Sequence, residues 1–182
     1  MNGFGKPNPA ACETELLFEQ CRESLIRYLR YHLHDRSEAE DIAQESFIRY
    51  FQARCQTEKI SQPRAWLFRV AHNLLIDHAR RKKAELLDQD GWKGLEARLI
   101  SLPDGMETGV YISQLPWQTL SPVERETLRL RTEGLKFREI AEVLDLSIST
   151  VVSYISRAVK KLRTTEVEER ATSKHRRTAA AV

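Results

Sequence analysis

Apolar residues recur at helical spacing along most of the chain, and the sequence shows neither the strict alternation of a β-strand nor an internal repeat. In residues 14–34, Leu25, Leu29 and Leu33 lie four positions apart, so a helix would place them on one face. Mostly polar residues fill the other faces. This first segment is therefore predicted to be an amphipathic helix that buries one side against the rest of the chain.

Two further helical segments follow at short distances. Ser37 and Glu40 have the spacing of a capping box, in which each side chain accepts a hydrogen bond from the other residue's backbone N–H. Pro63 opens the next segment, after a polar loop at 55–62, because proline is favoured in the first turn of a helix. The connections are short enough to predict a compact three-helix domain over residues 10–83.

A second group of helices is predicted over residues 107–163. Ser121 and Glu124 form another capping-box pattern, and Gly134 is a suitable residue to end the helix that this pattern starts. Two shorter helical segments then follow, separated by a tight turn, and Ser147 is placed to cap the second of them. The second group is therefore predicted to be a small helical bundle of its own.

The remaining segments lack helical periodicity. Residues 84–106 combine glycine and proline with scattered acids, and they predict a flexible acidic linker with a short helical turn near 95–99. Residues 164–182 lose the apolar stripe and are predicted to be disordered. The whole pattern predicts an all-α fold of two small helical bundles joined by a flexible linker.

The turn in the second bundle carries the most specific single signal. Two short helices joined by a tight turn, the second ending in basic residues, describe a DNA-binding helix-turn-helix. If Val151, Ile155 and Ala158 face the core, mostly small or basic side chains face outward, which suits the major groove. The candidate duplex-binding residues are Ser149, Thr150, Val152, Ser153, Ser156, Arg157 and Lys160. An ordinary helical hairpin with a solvated basic face would give the same pattern.

The helix predicted over residues 63–83 carries the second signal. Its polar side presents aromatic and basic groups, which suit single-stranded DNA because exposed bases stack on rings and phosphates attract cations. The candidate strand-binding residues are Arg64, Trp66, Arg69, Asn73, Asp77, Arg80 and Arg81. Simple core packing would also explain Trp66. Two roles for Asp77 are open: it forms an ion pair that orients Arg80 or Arg81, or it only offsets their charge.

Charge is informative by segment rather than in total. The net charge is +3, from 29 basic and 26 acidic residues. Residues 61–83 hold six basic residues against one acid, and residues 121–163 hold nine against six. Residues 84–116, which lie between these blocks, hold two basic residues against six acids. Two separated basic blocks predict contact with a polyanion at two places, because such contact releases phosphate counterions.

Composition and cysteine usage exclude several classes of protein. Hydrophobic residues make up 41% of the chain, but no run approaches the roughly 18 apolar residues of a membrane span, and no secretory leader is seen. The three cysteines form no CxxC pair, which argues against a disulfide scaffold or zinc site and favours a reducing cytoplasm. Histidine spacing predicts no metal site. We find no phosphate-binding glycine loop and no nucleophile set, so we expect no cofactor and no enzymatic activity.

Several motifs occur in one order and resemble a known family. They read SEAEDIAQESF from residue 37, PRAWLFRVAHNLLIDHARR from residue 63, LSPVERE from residue 120, FREIAEVL from residue 137 and STVVS from residue 149. Together they resemble the extracytoplasmic-function group of the bacterial sigma-70 family, over roughly residues 12–163. The resemblance implies two helical domains, called regions 2 and 4. It also implies a protein that binds core RNA polymerase and directs it to promoters.

The resemblance also implies a role for each segment. Asp41, Gln44, Glu45 and Phe47 match the part that docks on the clamp helices of the β′ subunit, with Phe47 as an aromatic anchor within a polar rim. A core position for Phe47 is the alternative. Residues 55–83 match the part that captures and melts the −10 element. The second bundle matches the part that binds the −35 element and the β flap. An anti-sigma factor is an expected partner.

Two positions depart from the family pattern. Val152 stands where a basic residue is frequent, which predicts a changed −35 preference or a lost phosphate contact. Asp145 stands where glycine usually makes the turn, and aspartate tolerates a left-handed backbone better than most residues.

Two other functions compete with the sigma factor. An autonomous helix-turn-helix regulator would explain residues 121–163, but neither the basic aromatic helix nor the segment around Gln44. A helical interaction scaffold would leave both basic blocks unexplained.

Overall fold

The computed structural model describes residues 8–33, 35–56, 59–86 and 117–179, all of them helix, turn or connecting segments without a strand. Helix α1 spans Pro9–Arg30, α2 spans Arg36–Cys55 and α3 spans Pro63–Leu86. A single 3₁₀ turn at Trp117–Thr119 precedes α4 at Pro122–Thr132, α5 at Phe137–Leu144 and α6 at Ile148–Ala179. The predicted all-α fold is confirmed.

The first bundle begins earlier than its apolar pattern predicts. Helix α1 starts at Pro9 because Asn8 is its N-cap, with the Asn8 side-chain oxygen accepting from the Ala10 N–H at 3.0 Å. Helix α2 is capped by Asp35, whose carboxylate accepts from the Ser37 N–H at 2.8 Å. The predicted capping box of Ser37 and Glu40 is therefore wrong, since Asp35 is the N-cap.

The helix ends of the second bundle agree with the sequence. The Ser121 N–H donates to the Glu124 carboxylate at 2.8 Å, and the Glu124 N–H donates back to Ser121 Oγ at 3.4 Å. Gly134 follows the end of α4 with a φ of +88°, a backbone conformation that favours glycine. Ser147 Oγ accepts from the Thr150 N–H at 3.1 Å and caps α6 as predicted.

The last helix corrects one prediction. Residues 164–179, predicted to be disordered, continue α6 as far as Ala179. The segment lost its apolar stripe but retains alanine, glutamate and arginine, which are strong helix formers, so an established helix can propagate through it. The predicted linker at 84–106 also begins inside a helix, because α3 extends through residue 86; the helical turn predicted near 95–99 lies outside the described residues.

The two bundles pack directly against each other through α3 and α5. Leu25, Leu29 and Phe68 of the first bundle belong to the same buried cluster as Leu130 and Ile140 of the second. A smaller cluster stabilises the far side of the second bundle: Trp117, Leu120, Leu128, Ala158 and Leu162. The structure is thus two bundles that share one hydrophobic core.

Among the described helices, none is both long and apolar enough to cross a bilayer.

Candidate nucleic-acid interface

Helices α5 and α6 form the predicted helix-turn-helix. The turn between them depends on Asp145, which adopts the left-handed conformation at φ 53° and ψ 46° as the residue after α5. The Leu146 N–H then donates to the Ala141 carbonyl at 2.9 Å and closes the turn. Asp145 thus adopts the left-handed conformation that glycine usually supplies at such a turn. Its short polar side chain keeps the strain energy of this conformation small.

The inward face of α6 is the one predicted. Val151 and Ala158 are fully buried and Leu162 is nearly so. The opposite face is open to solvent and carries small, apolar or cationic side chains: Ser149, Val152, Ser153, Ser156, Arg157 and Lys160 are exposed. Thr150, in contrast, is half-buried and hydrogen-bonded to Ser147, so it supports the cap instead of the outward face.

Two side chains give this face its chemical character. Arg157 lies over the ring of Tyr154, with its guanidinium carbon 5.6 Å from the ring centroid, and its charge stays at the surface. Val152 is 40% exposed, so its side chain is available for contact. The face therefore offers a long cationic hydrogen-bond donor and an exposed apolar side chain, which suit a base edge and a thymine methyl group.

Helix α3 presents most of the predicted strand-binding residues on one exposed face. Arg69, Asn73, Asp77 and Arg80 lie three or four residues apart and are all exposed, and Arg81 is exposed beside them. Asp77 approaches Arg80 at 3.9 Å, one of the two predicted pairings. The ion pair is long and exposed, so it orients Arg80 only loosely.

Two predicted strand-binding residues are engaged elsewhere. Trp66 is half-buried and packs edge-on against Tyr50 at 5.7 Å between ring centroids, so a large part of its surface serves the core. Arg64 donates a hydrogen bond from its guanidinium to the Glu133 backbone carbonyl in the second bundle. In this conformation neither residue belongs to the open face of α3, which corrects their predicted placement.

The predicted polymerase-docking residues of α2 divide in the same way. Asp41 and Gln44 are exposed, and Glu45 is half-buried and paired with Arg49 at 2.8 Å. Phe47 is only 6% exposed and contacts Phe18 at 5.0 Å between ring centroids, within the core. Phe47 thus takes the core position that was the alternative to an anchor, because the helix turns it inward with Ala43 and Tyr50.

Two exposed apolar residues next to these polar groups were not predicted. Ile48 of α2 is 42% exposed, and Phe18 of α1 is 43% exposed. They line a shallow groove between α1 and α2 together with Gln44. Ile48 lies one turn after Gln44, so helical spacing from the polar residues would have found it, whereas the prediction chose the neighbouring phenylalanine.

The sequence also gave no sign of a polar cluster between the bundles. Glu126 of α4 accepts a hydrogen bond from the Tyr28 hydroxyl at 2.6 Å, and its carboxylate lies 3.2 Å from His32 Nε2 and 3.7 Å from His72 Nδ1. Burial alone would raise the pKa of Glu126, but the two imidazoles and the Tyr28 hydroxyl outweigh it and hold that pKa far below its usual range. Burial and the neighbouring carboxylate raise the pKa of Tyr28.

A second set of contacts surrounds this cluster. Glu133 of α4's C-terminal turn pairs with Arg27 at 3.0 Å. The Arg129 guanidinium lies over the ring of Tyr31, and its carbon is also 5.6 Å from the centroid of the Trp117 ring. The junction between the bundles is therefore cationic, aromatic and carboxylate-rich around a continuous apolar centre.

The described residues contain no group of three or more His, Cys, Asp or Glu side chains that could hold a metal ion. Cys12 and Cys55 are exposed free thiols, and Cys21 is buried.

This geometry defines a two-module helical DNA-binding protein, and the comparisons say which kind. The family model for Sigma-70 region 2 matches residues 17–85 of this chain. The family model for region 4 of the same family matches residues 118–162. RNA polymerase sigma-H factor of Pseudomonas aeruginosa is 32% identical over 161 residues, covering 79% of this chain and 81% of the relative. ECF RNA polymerase sigma factor SigW of Bacillus subtilis is 33% identical over 142 residues, covering 69% and 74%.

Two solved structures share the fold. The sigma factor RpoE of Bartonella quintana, in complex with the anti-sigma factor NepR, has a TM-score of 0.62 at 20% identity, over 84% of this chain and 95% of that one. CnrH, in complex with the cytosolic domain of CnrY, has a TM-score of 0.57 at 24% identity, over 87% and 90%. The chain belongs to the extracytoplasmic-function group of the sigma-70 family. It is an RNA polymerase sigma factor, a subunit that binds core polymerase and promoter DNA to initiate transcription.

Proposed function

We propose that the two bundles divide promoter recognition between them. The N-terminal turns of α6 enter the major groove of the −35 element, and the exposed face of α3 captures one strand of the melted −10 element. The polar face of α2 docks on the β′ clamp helices, and the second bundle contacts the β flap. The observation that carries this proposal is the pattern of α6: its exposed face carries serines, Val152, Arg157 and Lys160, and its buried side chains are apolar.

The −35 role rests on the side chains that α6 offers to a groove. The serine side chains are small, so the helix backbone can approach the base edges closely. Arg157 and Lys160 lie one turn apart, where they reach a guanine edge or a phosphate. Val152 replaces a cation with an apolar contact. We therefore expect the preferred −35 sequence to place a thymine methyl opposite this residue.

The −10 role rests on differential binding. Unpairing and extruding bases costs a few kcal/mol, which a protein offsets by binding the opened strand more tightly than the duplex. The exposed cations Arg69, Arg80 and Arg81 attract the strand, and Asn73 supplies donor and acceptor groups. This mechanism needs no hydrolysis and no covalent chemistry, so we propose that the protein is not an enzyme.

The polymerase-docking role rests on a mixed surface of α2 and α1. Asp41 and Gln44 supply charge and hydrogen bonds, and Ile48 and Phe18 supply exposed apolar area at the same groove. Interfaces of this kind place apolar anchors inside a polar rim. We therefore propose Ile48 and Phe18, in place of Phe47, as the apolar anchors of the polymerase-docking surface.

We also propose an anti-sigma factor as a partner and the cytoplasm as the compartment. The RpoE structure that shares the fold is a complex of a sigma factor with the anti-sigma factor NepR. RNA polymerase and its promoters lie in the cytoplasm of bacteria, where a sigma factor must act.

Run-off transcription with purified core polymerase and a promoter library tests the proposal. We expect start-site selection only when the chain and the core are both present, and loss of that selection in Arg157→Ala. Binding to duplex DNA that is equally strong without core polymerase would contradict it and favour an autonomous regulator. Co-purification from the native host, followed by mass spectrometry, would identify core subunits and any anti-sigma protein.

A further inference from the structure

The junction between the bundles closes around one carboxylate. Glu126 projects from α4 into a space formed by Tyr28 and His32 of the first bundle and by His72 of α3. Only 15% of its side chain is exposed, and Tyr28 is fully buried. The Tyr28–Glu126 hydrogen bond joins the two bundles, so separating them would break it, expose Glu126 to water and leave Tyr28 with His72 as its polar partner.

The hydrogen bonds at this point have one consistent arrangement. Tyr28 has a single hydroxyl hydrogen, which it donates to Glu126 at 2.6 Å. The Tyr28 oxygen lies 2.7 Å from His72 Nδ1, so His72 must carry its hydrogen on Nδ1 and donate it. His32 Nε2 is 3.2 Å from the carboxylate but outside good hydrogen-bond alignment, so its contribution is electrostatic.

A second contact ties the same junction to the DNA-binding face. Arg64, one of the candidate strand-binding residues, donates to the Glu133 carbonyl. The Glu133 carboxylate pairs with Arg27 at 3.0 Å. The packed conformation thus occupies a cation of the first bundle with the second bundle, at the position where a DNA strand would otherwise compete for it.

The packed conformation is too compact to reach both promoter elements. Elements centred about 25 base pairs apart are separated by roughly 85 Å of B-form DNA, at about 3.4 Å per base pair. Helix α5 packs against both α3 and α6, so the two DNA-binding helices are only two interaxial distances apart, or about 20 Å. The bundles must therefore separate before α3 and α6 engage the same promoter.

We infer that Glu126, held by Tyr28, His32 and His72, is an autoinhibitory latch that keeps the free protein closed and lowers its affinity for core polymerase and promoter. The inference rests on the proposed assignment of α3 and α6 to separate elements. Opening exposes the latch and frees Arg64. In the proposed function core polymerase holds the two bundles at the spacing of the promoter elements, so only the open form makes all of its contacts. The population of that form in the free chain therefore multiplies the intrinsic affinity for polymerase.

The test uses the full chain with Glu126→Gln, which keeps the size of the side chain and removes its charge. Tyr28→Phe removes the hydroxyl alone and leaves the ring in the core. Glu142→Gln is the matched control, since Glu142 belongs to α5 and no ion pair is seen for it in the described residues. Small-angle X-ray scattering measures the maximum dimension, a titration measures the dissociation constant for core polymerase, and circular dichroism checks that the helices remain.

We expect Glu126→Gln to raise the ratio of open to closed molecules about tenfold, the usual scale for losing a charged hydrogen bond. The maximum dimension should lengthen and the dissociation constant for core polymerase should fall. Tyr28→Phe should change both in the same direction, and Glu142→Gln neither. If Glu126→Gln loses its helices, Tyr28→Phe decides.

Folded variants with the dimensions of the wild type would overturn the latch. So would extended variants that bind core polymerase no better, because the closed form would then not be inhibitory. If neither the wild type nor any variant binds core polymerase, the proposed function fails, while the scattering still shows whether Glu126 holds the bundles together.

Discussion

Arg157→Ala separates recognition from stability, because the side chain is exposed and makes little contact with the fold. Its nearest aromatic partner is Tyr154, at 5.6 Å from the ring centroid, and exposed contacts of this kind contribute about 0.5–1 kcal/mol. Within the described residues no carboxylate lies at ion-pair distance from Arg157. We therefore expect the free energy of unfolding to fall by no more than about 1 kcal/mol.

The loss in promoter binding should be larger. A bidentate contact from arginine to a guanine edge discriminates by about 1–3 kcal/mol, which corresponds to a roughly 5- to 150-fold loss of affinity for the preferred −35 sequence. A phosphate contact would instead weaken all sequences alike and reduce the slope of log affinity against log salt by about 0.9. The salt dependence thus identifies which contact Arg157 makes.

The assay is run-off transcription with the reconstituted holoenzyme on wild-type and −35-substituted promoters, with thermal unfolding measured in parallel. Arg36→Ala is the control, because Arg36 is an exposed cation of the other bundle that pairs with Glu40. Unchanged transcription in Arg157→Ala would refute the assigned orientation of α6. A loss of unfolding free energy as large as the loss in promoter binding would refute the separation of roles.

Three further predictions concern the turn, the docking surface and the junction. Asp145→Gly should stabilise the protein by about 0.5–1 kcal/mol, because glycine adopts a φ of 53° without strain; a lower melting temperature would contradict this. Ile48→Glu should weaken core-polymerase binding about tenfold, while Ile48→Leu should not, and unfolding should be similar in both; equal binding by the two variants would argue against this surface. His72 faces Tyr28, His32 and Glu126, and burial lowers its pKa more than Glu126 raises it. The closed form thus holds His72 neutral. This contribution stabilises the closed form above the ordinary pKa of histidine, and it is lost as the pH falls through the lowered pKa of His72. Scattering should show more open molecules at about pH 5.5 than at about pH 7.5, and His72→Asn should flatten this response; closure on acidification would contradict it.

Local features were predictable where one short stretch of sequence determines them. The capping box of Ser121 and Glu124, the glycine after α4 and the left-handed turn at Asp145 each depend on residues within a few positions of one another. The inward face of α6 followed from periodicity alone. Where a neighbouring residue competed, as Asp35 did with Ser37 for the cap of α2, the local pattern was not sufficient.

Side-chain burial and the contacts between the bundles were harder to predict. Phe47 and Ile48 are adjacent and both apolar, and only the packing of α1 against α2 decides which of them is buried. Tyr28 and Glu126 lie 98 positions apart, and neither belongs to a local pattern that indicates the other. Periodicity identifies which face of a helix is buried, but not which other face it meets.

Gly134 links the turn of one bundle to the surface of the other. Its φ of +88° excludes most side chains, and a Cβ atom there would lie 3.3 Å from the Arg64 guanidinium. Substitution at this single position would therefore strain the backbone and push on the opposite bundle at once. A substitution at residue 134 is therefore felt in both halves of the protein: the loop backbone is strained, and the Arg64 side chain of the other bundle has to shift by a few tenths of an ångström.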